Sequence, residues 1–147
     1  MTPYYRLVVK KPIELLDALL CIFKEQAKIS FEGDLSSCSF EEIPGTRTQP
    51  VEPLVRSTIY PKQDFVIIPI MASTLEIIRK KVLPQVGLRK NVLHVLISKN
   101  DKLVFWAYDC FDQDCVGLSL SVPENQVMAL CEKGILKEYK IIRDRKA

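Results

Sequence analysis

His94 is the only histidine in the chain and therefore the first candidate for acid–base chemistry. Histidine is the side chain that most readily exchanges a proton near neutral pH. A catalytic histidine needs a partner that orients its ring and a substrate proton within reach. His94 alternates with Val92 and Leu96 in an apolar run, which is typical of a strand packed on a core. We therefore expect a buried structural histidine, with catalysis as the alternative.

Cys110 and Cys115 are the candidate redox pair among five scattered cysteines. Two cysteines that face each other across an antiparallel strand pair lie within disulfide range. Their spacing, however, is not the C-x-x-C of redox or zinc motifs. Free thiols in a reducing compartment are the expected state, and a thiol switch is the alternative.

Asp109, Asp112 and Asp114 place three carboxylates in one short stretch. Converging carboxylate oxygens can bind a divalent cation. The calcium-loop pattern of Gly and Glu at fixed positions is absent, and a solvated hairpin tip explains the cluster equally well. We therefore predict no metal site.

A basic cluster brackets the end of the second predicted helix: Arg79, Lys80, Lys81, Arg89 and Lys90. Gathered on one face, these residues could attract phosphates, which makes weak nucleic-acid binding an alternative function. Aromatic residues are not interleaved with them, as base stacking requires, and the net charge of +3 is modest. Glycine-rich phosphate loops and the common hydrolase motifs are absent. We predict no cofactor and do not expect nucleic acid as the partner.

Three strands joined by two turns, between residues 93 and 122, would position most of these side chains. Asn100-Asp101 is a plausible two-residue hairpin turn, because both residue types tolerate positive φ. A second turn is expected around Asp112-Gln113. The predicted opposite pairs are Leu96 with Phe105, Val95 with Trp106, Cys110 with Cys115, Tyr108 with Gly117, and Trp106 with Ser119.

This register divides the three strands into two faces, since side chains alternate along a strand. One face, which includes His94, Leu96 and Phe105, is expected in the core. The other is the predicted interaction surface, formed by Val95, Ile97, Val104, Trp106, Tyr108 and Ser119. An apolar patch of this size is rarely left exposed to solvent on a monomer, and Trp and Tyr often dominate the binding energy of interfaces. We expect a homodimer contact here, or else a lid formed by the Pro-rich loop 41–57.

The remaining pattern predicts an α+β fold with a mixed, largely antiparallel sheet and about three helices packed mainly on one face. Helices are expected over 12–27, 73–83 and 123–133, the second capped by Ser73. Further strands are expected over 4–10, 29–31, 37–40, 58–60, 65–70 and 135–142. The apolar run 65–68 is typical of a central strand covered on both faces.

The bulk composition is that of an ordinary globular chain, with 147 residues of which 48% are hydrophobic and 27% charged. We expect one domain over 1–147, with a loop at 41–57 and a charged tail at 143–147. The N-terminus lacks a signal-peptide pattern and no apolar run reaches the length of a membrane span. A cytoplasmic protein with no membrane partner is therefore expected.

These observations favour a non-catalytic intracellular protein-interaction module that self-associates through its sheet. Two alternatives stay open. The first is a small enzyme or thiol-redox protein that uses His94 or the Cys110 and Cys115 pair. The second is a weak nucleic-acid binder that uses the basic helix end.

We predict that all five thiols are free under reducing conditions, because scattered cysteines in a reducing compartment find no stable disulfide partner. Thiol counting on freshly purified, denatured protein should therefore find five. A stoichiometric bond between Cys110 and Cys115 that survives cytosol-like glutathione would favour the redox alternative instead.

Overall fold

The computed structural model describes residues 2–88 and 90–143, so Arg89 and residues 144–147 of the predicted tail lie outside the described residues. Within these ranges the chain is an α+β fold with seven strands and three helices. The strands are β1 (Tyr4–Val9), β2 (Ala27–Gly33), β3 (Asp64–Ile70), β4 (Val92–Lys99), β5 (Lys102–Ala107), β6 (Val116–Ser119) and β7 (Leu136–Ile142). The helices are α1 (Pro12–Ile22), α2 (Ala72–Ile77), which continues as a π-helical turn over Ile78–Val82, and α3 (Glu124–Glu132).

The strands form one sheet in the order β3-β2-β4-β5-β6-β1-β7. Every neighbouring pair is antiparallel, so the described sheet contains none of the parallel pairing that a mixed sheet would have. β1 lies between β6 and β7, and the two ends of the chain therefore pair with each other. None of the described helices is long and apolar enough to cross a membrane.

The larger core contains residues of the three described helices and alternate residues of the strands, and the side of the sheet on which those strand residues lie is called the core face below. The apolar stripe of α1 (Leu15, Leu16, Leu19 and Leu20) is fully buried, and it belongs to the same cluster as Phe31, Phe105 and Leu118 from the sheet. Val82 and Leu130 bring the other two helices into this cluster. Each such side chain contributes about 1.5–3 kcal/mol on burial, so this packing is the main support of the fold.

The register between β4 and β5 differs from the prediction by one residue. The turn itself is confirmed: Asn100 and Asp101 have φ values of 51° and 62°. A β-bulge follows, because Val104 has no residue opposite it in the ladder. The observed pairs are Lys99 with Lys102, Ser98 with Leu103, Ile97 with Phe105, Leu96 with Trp106, and Val95 with Ala107.

The bulge moves alternate residues of β4 to the face opposite the predicted one. Val95 and Ile97 are fully buried in the larger core, whereas Leu96 and His94 lie on the other face. Placing Val95 and Ile97 beside Trp106 is therefore wrong. One extra residue in β5 is enough to cause the error, because the side-chain period of a strand is two.

The second connection is longer than the expected turn. Asp109, Cys110 and Phe111 all have positive φ, and the loop closes where the Tyr108 N–H donates to the Cys115 carbonyl at 3.0 Å. The resulting pairs are Trp106 with Gly117, Ala107 with Val116, and Phe105 with Leu118. This register is shifted by two residues, which preserves the predicted faces of Phe105, Trp106 and β6 but removes Cys110 from the position opposite Cys115. The bulge exchanges the predicted faces of the two residues before Phe105, since Leu103 packs with Trp106 and Val104 belongs to the larger core.

Several local predictions fail where tertiary contacts decide. The chain leaves α1 after Ile22, because Glu25 and Gln26 take positive φ and turn into β2. Residues 37–40 and 58–60 are not strands. At α2 the Thr74 hydroxyl, rather than Ser73, accepts the N–H of Met71, the residue that precedes the helix.

The strand at 65–70 is confirmed, but it is the outermost strand of the sheet rather than a central one. Its residues are nevertheless buried on both faces, since Phe65 and Ile67 are covered on one side and Val66 and Ile68 on the other. The cover on the side of Phe65 comes from the Pro-rich loop.

Candidate interaction surface

The face of the sheet opposite the core face, called the outer face below, is partly covered by residues 47–58, the cover segment. Arg47 pairs with Ile67 along the outer edge of β3, with N–O distances of 2.9 and 2.7 Å. Leu54 is 1% exposed and packs against Ile67 and Leu96. The Pro-rich loop therefore folds back over part of this face, as the lid alternative expects.

A buried carboxylate fixes the end of the cover segment. Glu32 on β2 is 2% exposed; its Oε1 accepts the Ser57 N–H at 2.7 Å and its Oε2 accepts the Thr58 N–H at 3.1 Å. A buried charge is tolerable only when it is hydrogen-bonded or paired, and charge-assisted bonds of this kind are strong. Because each oxygen has its own backbone donor, Glu32 fixes the position of Ser57 and Thr58 over the sheet.

His94 lies opposite Glu32 on β4 and completes this anchor. It is 6% exposed, so its predicted burial is confirmed, although it lies on the outer face rather than the core face. Nδ1 accepts the Asp109 N–H at 3.3 Å, and Nε2 lies 2.8 Å from Thr58 Oγ1. Since Nδ1 accepts, the neutral ring carries its proton on Nε2 and donates it to Thr58. Both ring nitrogens are thus bound by the chain itself.

Tyr108 packs against this anchor, with its ring edge-on to His94 at a centroid distance of 5.5 Å. Its pKa is raised, first because burial disfavours the phenolate and second because the Glu32 carboxylate repels it. Tyr108 therefore stays protonated at neutral pH, and it belongs to the smaller core under the cover segment.

Trp106 lies at the margin of the covered area, and its ring packs directly on Gly117, a contact called the seat of Trp106 below. A Cβ atom at Gly117 would fall 2.2 Å from the Trp106 ring, so only glycine admits the ring at this height. Tyr4 also packs against the ring, at 5.2 Å between centroids and an angle of 58°. Trp106 is half-buried, so part of its ring stays exposed as an aromatic surface.

A groove of about 980 Å³ opens beside the Trp106 ring. Its apolar wall includes Tyr4, Leu103 and Trp106, and Ser119 and Ser121 form part of its polar rim. Lys99 and Lys102 also line it, whereas no acidic side chain does so among the described residues. We call this the Trp106 groove; its shape and charge suit an apolar group that carries a negative charge nearby.

The six residues predicted as an interaction surface are distributed over three places. Trp106 and Ser119 line the Trp106 groove. Val104 also lines it, but it is 7% exposed and belongs to the larger core together with Val95 and Ile97. Tyr108 belongs to the smaller core. The exposed part of the predicted patch is therefore smaller than the sequence suggests.

The cysteines and the acidic loop do not form a reactive centre in the described residues. All five thiols are free. Cys110 is not paired opposite Cys115, and its backbone N–H donates to the Leu93 carbonyl instead. The pKa of Cys115 is raised by burial and then by the carboxylates around it, which reduces its thiolate fraction. No three His, Cys, Asp or Glu side chains converge as metal ligands anywhere in the described ranges.

Two of the four described members of the basic cluster, Arg79 and Lys80, are paired with carboxylates. Arg79 binds Asp17 through two nitrogens, at 2.5 and 3.3 Å, and also reaches Glu76. Lys80 lies 3.3 Å from Glu76. These pairs leave less free positive charge at the helix end than the sequence suggests.

A second cleft, of about 900 Å³, lies beside the outer edge of β3. Two of its charged side chains are bound within the chain: Arg56 donates to the Gln63 carbonyl and lies over the Phe65 ring, and Asp64 accepts the Leu35 N–H. Glu41 and Lys62 also line this cleft, so it carries charges of both signs, whereas the Trp106 groove has an aromatic wall, two lysines and no acidic side chain among the described residues. The Trp106 groove is therefore the better candidate for binding an apolar group with a negative charge nearby.

Sequence reasoning missed Glu32, Gly117 and Tyr4. Glu32 follows Lys28 and Ser30 at the polar positions of an alternating strand, so no local signal distinguishes it from a solvent-exposed charge. Gly117 is the only glycine inside β6, and a glycine within a strand often indicates a close approach of another group.

Replacing Glu32 by Gln should lower the free energy of unfolding by about 1–3 kcal/mol, because one of the two backbone N–H groups would then face an amide NH₂ instead of an oxygen. His94→Gln should cost a similar amount. Denaturant unfolding gives the magnitude, and hydrogen exchange should show faster exchange at Ser57 and Thr58. Unchanged exchange there in Glu32→Gln would contradict the anchor.

Replacing Gly117 by Ala should displace the Trp106 ring and cost about 1–3 kcal/mol, as overpacking does. The emission of Trp106, the only tryptophan, should shift with it. Gly134→Ala is the matched control: its φ is +73° but nothing lies within 4 Å of the added Cβ. It should lower stability through backbone strain while leaving the emission unchanged. Identical emission in both variants would contradict the proposed seat.

Comparison with protein-family models, with curated proteins and with solved structures finds no match to this chain. The Trp106 groove and the Glu32 anchor are therefore interpreted from their own geometry and chemistry.

Proposed function

We propose that this chain is a non-catalytic intracellular protein-interaction module that binds a polypeptide segment in the Trp106 groove and self-associates through its sheet. The observation that carries the proposal is the half-exposed Trp106 ring, held on Gly117 beside an open groove. Rigid aromatic side chains of this kind are enriched among the residues that dominate binding energies.

The groove supports one class of occupant better than others. Its wall of Tyr4, Leu103 and Trp106 would accept an aromatic or large aliphatic side chain. Lys99 and Lys102 would favour an acidic residue next to that anchor, because no described carboxylate offsets them in the groove. The partner segment is therefore an apolar anchor flanked by acidic residues.

Because Val95, Ile97 and Tyr108 are buried, the outer face offers a partner less apolar surface than the sequence predicts. A stable interface between two folded surfaces buries about 800 Å² on each partner. The part of the outer face that stays exposed around Trp106 is a groove rather than a broad patch, which favours a short segment there. Self-association is then better served by another part of the sheet.

The enzyme and redox alternatives receive less support. Glu32 and His94 are the buried titratable pair that a catalytic site would use, yet their polar atoms bind backbone and hydroxyl groups of the chain. Neither lines the Trp106 groove. The raised pKa of Cys115 likewise disfavours a reactive thiolate.

Selection from a phage-displayed library of random peptides tests the groove. Selected peptides should contain an aromatic or large aliphatic residue next to Asp or Glu, and should shift the Trp106 emission on binding. Trp106→Ala should weaken their binding by about thirtyfold or more, since buried aromatic anchors contribute 2 kcal/mol or more. Tyr60→Ala, which removes an aromatic ring that is 89% exposed outside the groove, is the matched control. Peptides that bind both variants equally would contradict the proposal.

A further inference from the structure

The outer edge of β7 is the open edge of the sheet in the described residues. At the opposite edge, Arg47 bridges to Ile67 on β3, so that edge is partly closed. β7 is seven residues long and pairs with β1 alone. An unpaired strand of this length presents a row of backbone donors and acceptors that is a template for another strand.

We propose that two copies of this chain pair antiparallel through β7, about a twofold axis at Tyr139, to form one continuous sheet. This inference rests on the self-association part of the proposed function and names its site. The partner is a second copy because, when two β7 strands run antiparallel, charges of one strand lie opposite unlike charges of the other.

The register follows from two exposed charges. Glu138 lies opposite Val8 and Lys140 lies opposite Arg6, so both side chains project from the outer face. With the axis at Tyr139, Glu138 of each copy lies directly opposite Lys140 of the other. The contact therefore contains two cross-strand ion pairs, which stabilise antiparallel pairs. Neither residue forms an ion pair with another described residue.

Neighbouring registers are disfavoured by the same charges. Directly opposed residues in an antiparallel pair alternate between two hydrogen-bonding types, so a twofold axis must pass through a residue that faces itself. An axis at Glu138 would place two glutamates face to face, and an axis at Lys140 would do the same with two lysines. Tyr139 lies between them and is the register without a like-charge contact at the axis.

Tyr139 is also held clear of the axis. Its hydroxyl donates to Glu124 Oε2 at 2.5 Å, and its ring packs edge-on to Tyr5 at 5.9 Å. These contacts tie the side chain to α3 and the core face, so the backbone edge at Tyr139 stays open to a second strand. The Trp106 groove is lined by residues of β1, β5 and β6 and by none of β7, so it would remain accessible in the dimer.

Sedimentation velocity of the full chain over a range of concentrations tests this dimer with a charge-swap series. Glu138→Lys and Lys140→Glu should each weaken the dimer by about tenfold or more, because two opposite-charge contacts become like-charge contacts. The double variant Glu138→Lys/Lys140→Glu should restore the dimer, since it exchanges the charges and keeps them complementary. Lys24→Glu, an exposed substitution of equal charge change elsewhere, should have no effect.

The outcomes separate this proposal from the peptide groove. A wild-type chain that stays monomeric at high micromolar concentration overturns the dimer, whatever the groove binds. A dimer that is insensitive to the single swaps, or that the double variant does not restore, overturns the β7 register. A dimer lost in Trp106→Ala but not in the charge variants would place self-association in the groove instead. Circular dichroism of each variant confirms that the fold is unchanged.

Discussion

The carboxylate of Glu32 is the constraint on which the outer face depends. It is buried on β2, a strand with neighbours on both sides, and a charge in that position must be matched by donors that the sheet itself does not supply. The backbone of Ser57 and Thr58 supplies them, and this brings the cover segment onto the sheet. Leu54 can then bury its side chain against Ile67 and Leu96, which is why an edge strand such as β3 can be apolar on both faces.

His94 extends the same anchor across the sheet. Through Thr58 on one nitrogen and the Asp109 N–H on the other, it connects the cover segment to the loop between β5 and β6. That loop carries three consecutive residues with positive φ, and its position determines where β6 resumes. The seat of Trp106 on Gly117 is thus a consequence of how the loop closes.

The face and the edge of the sheet have different binding properties. The covered half of the outer face is filled by the chain's own side chains, and what remains is a groove with an aromatic wall and two lysines. The β7 edge offers backbone hydrogen bonds and alternating charge instead. A groove of this kind recognises a side chain of its partner. A sheet edge instead binds a whole strand and determines the register in which that strand pairs. Both can operate in one molecule because they lie on different strands.

Much of the fold follows from local chemistry that can be read along the chain. The Asn100-Asp101 turn depends on residues that tolerate positive φ, and the apolar stripes of α1 and α3 depend on helical periodicity. The placement of Trp106 on the face opposite Phe105 follows from simple alternation in β5. These features need few contacts between distant residues, so the sequence alone determines them.

The tertiary structure decided the remainder. The bulge at Val104 sends Val95 and Ile97 into the core, and it lies in the ladder between β4 and β5. The role of Glu32 depends on donors 25 and 26 residues away, and the loop at 109–111 depends on contacts to His94 and Leu93. No local pattern encodes these distances. The register of β4 on β5 and the position of the cover segment depend on groups that are distant in sequence but are buried and hydrogen-bonded together. That arrangement exists only in the folded chain.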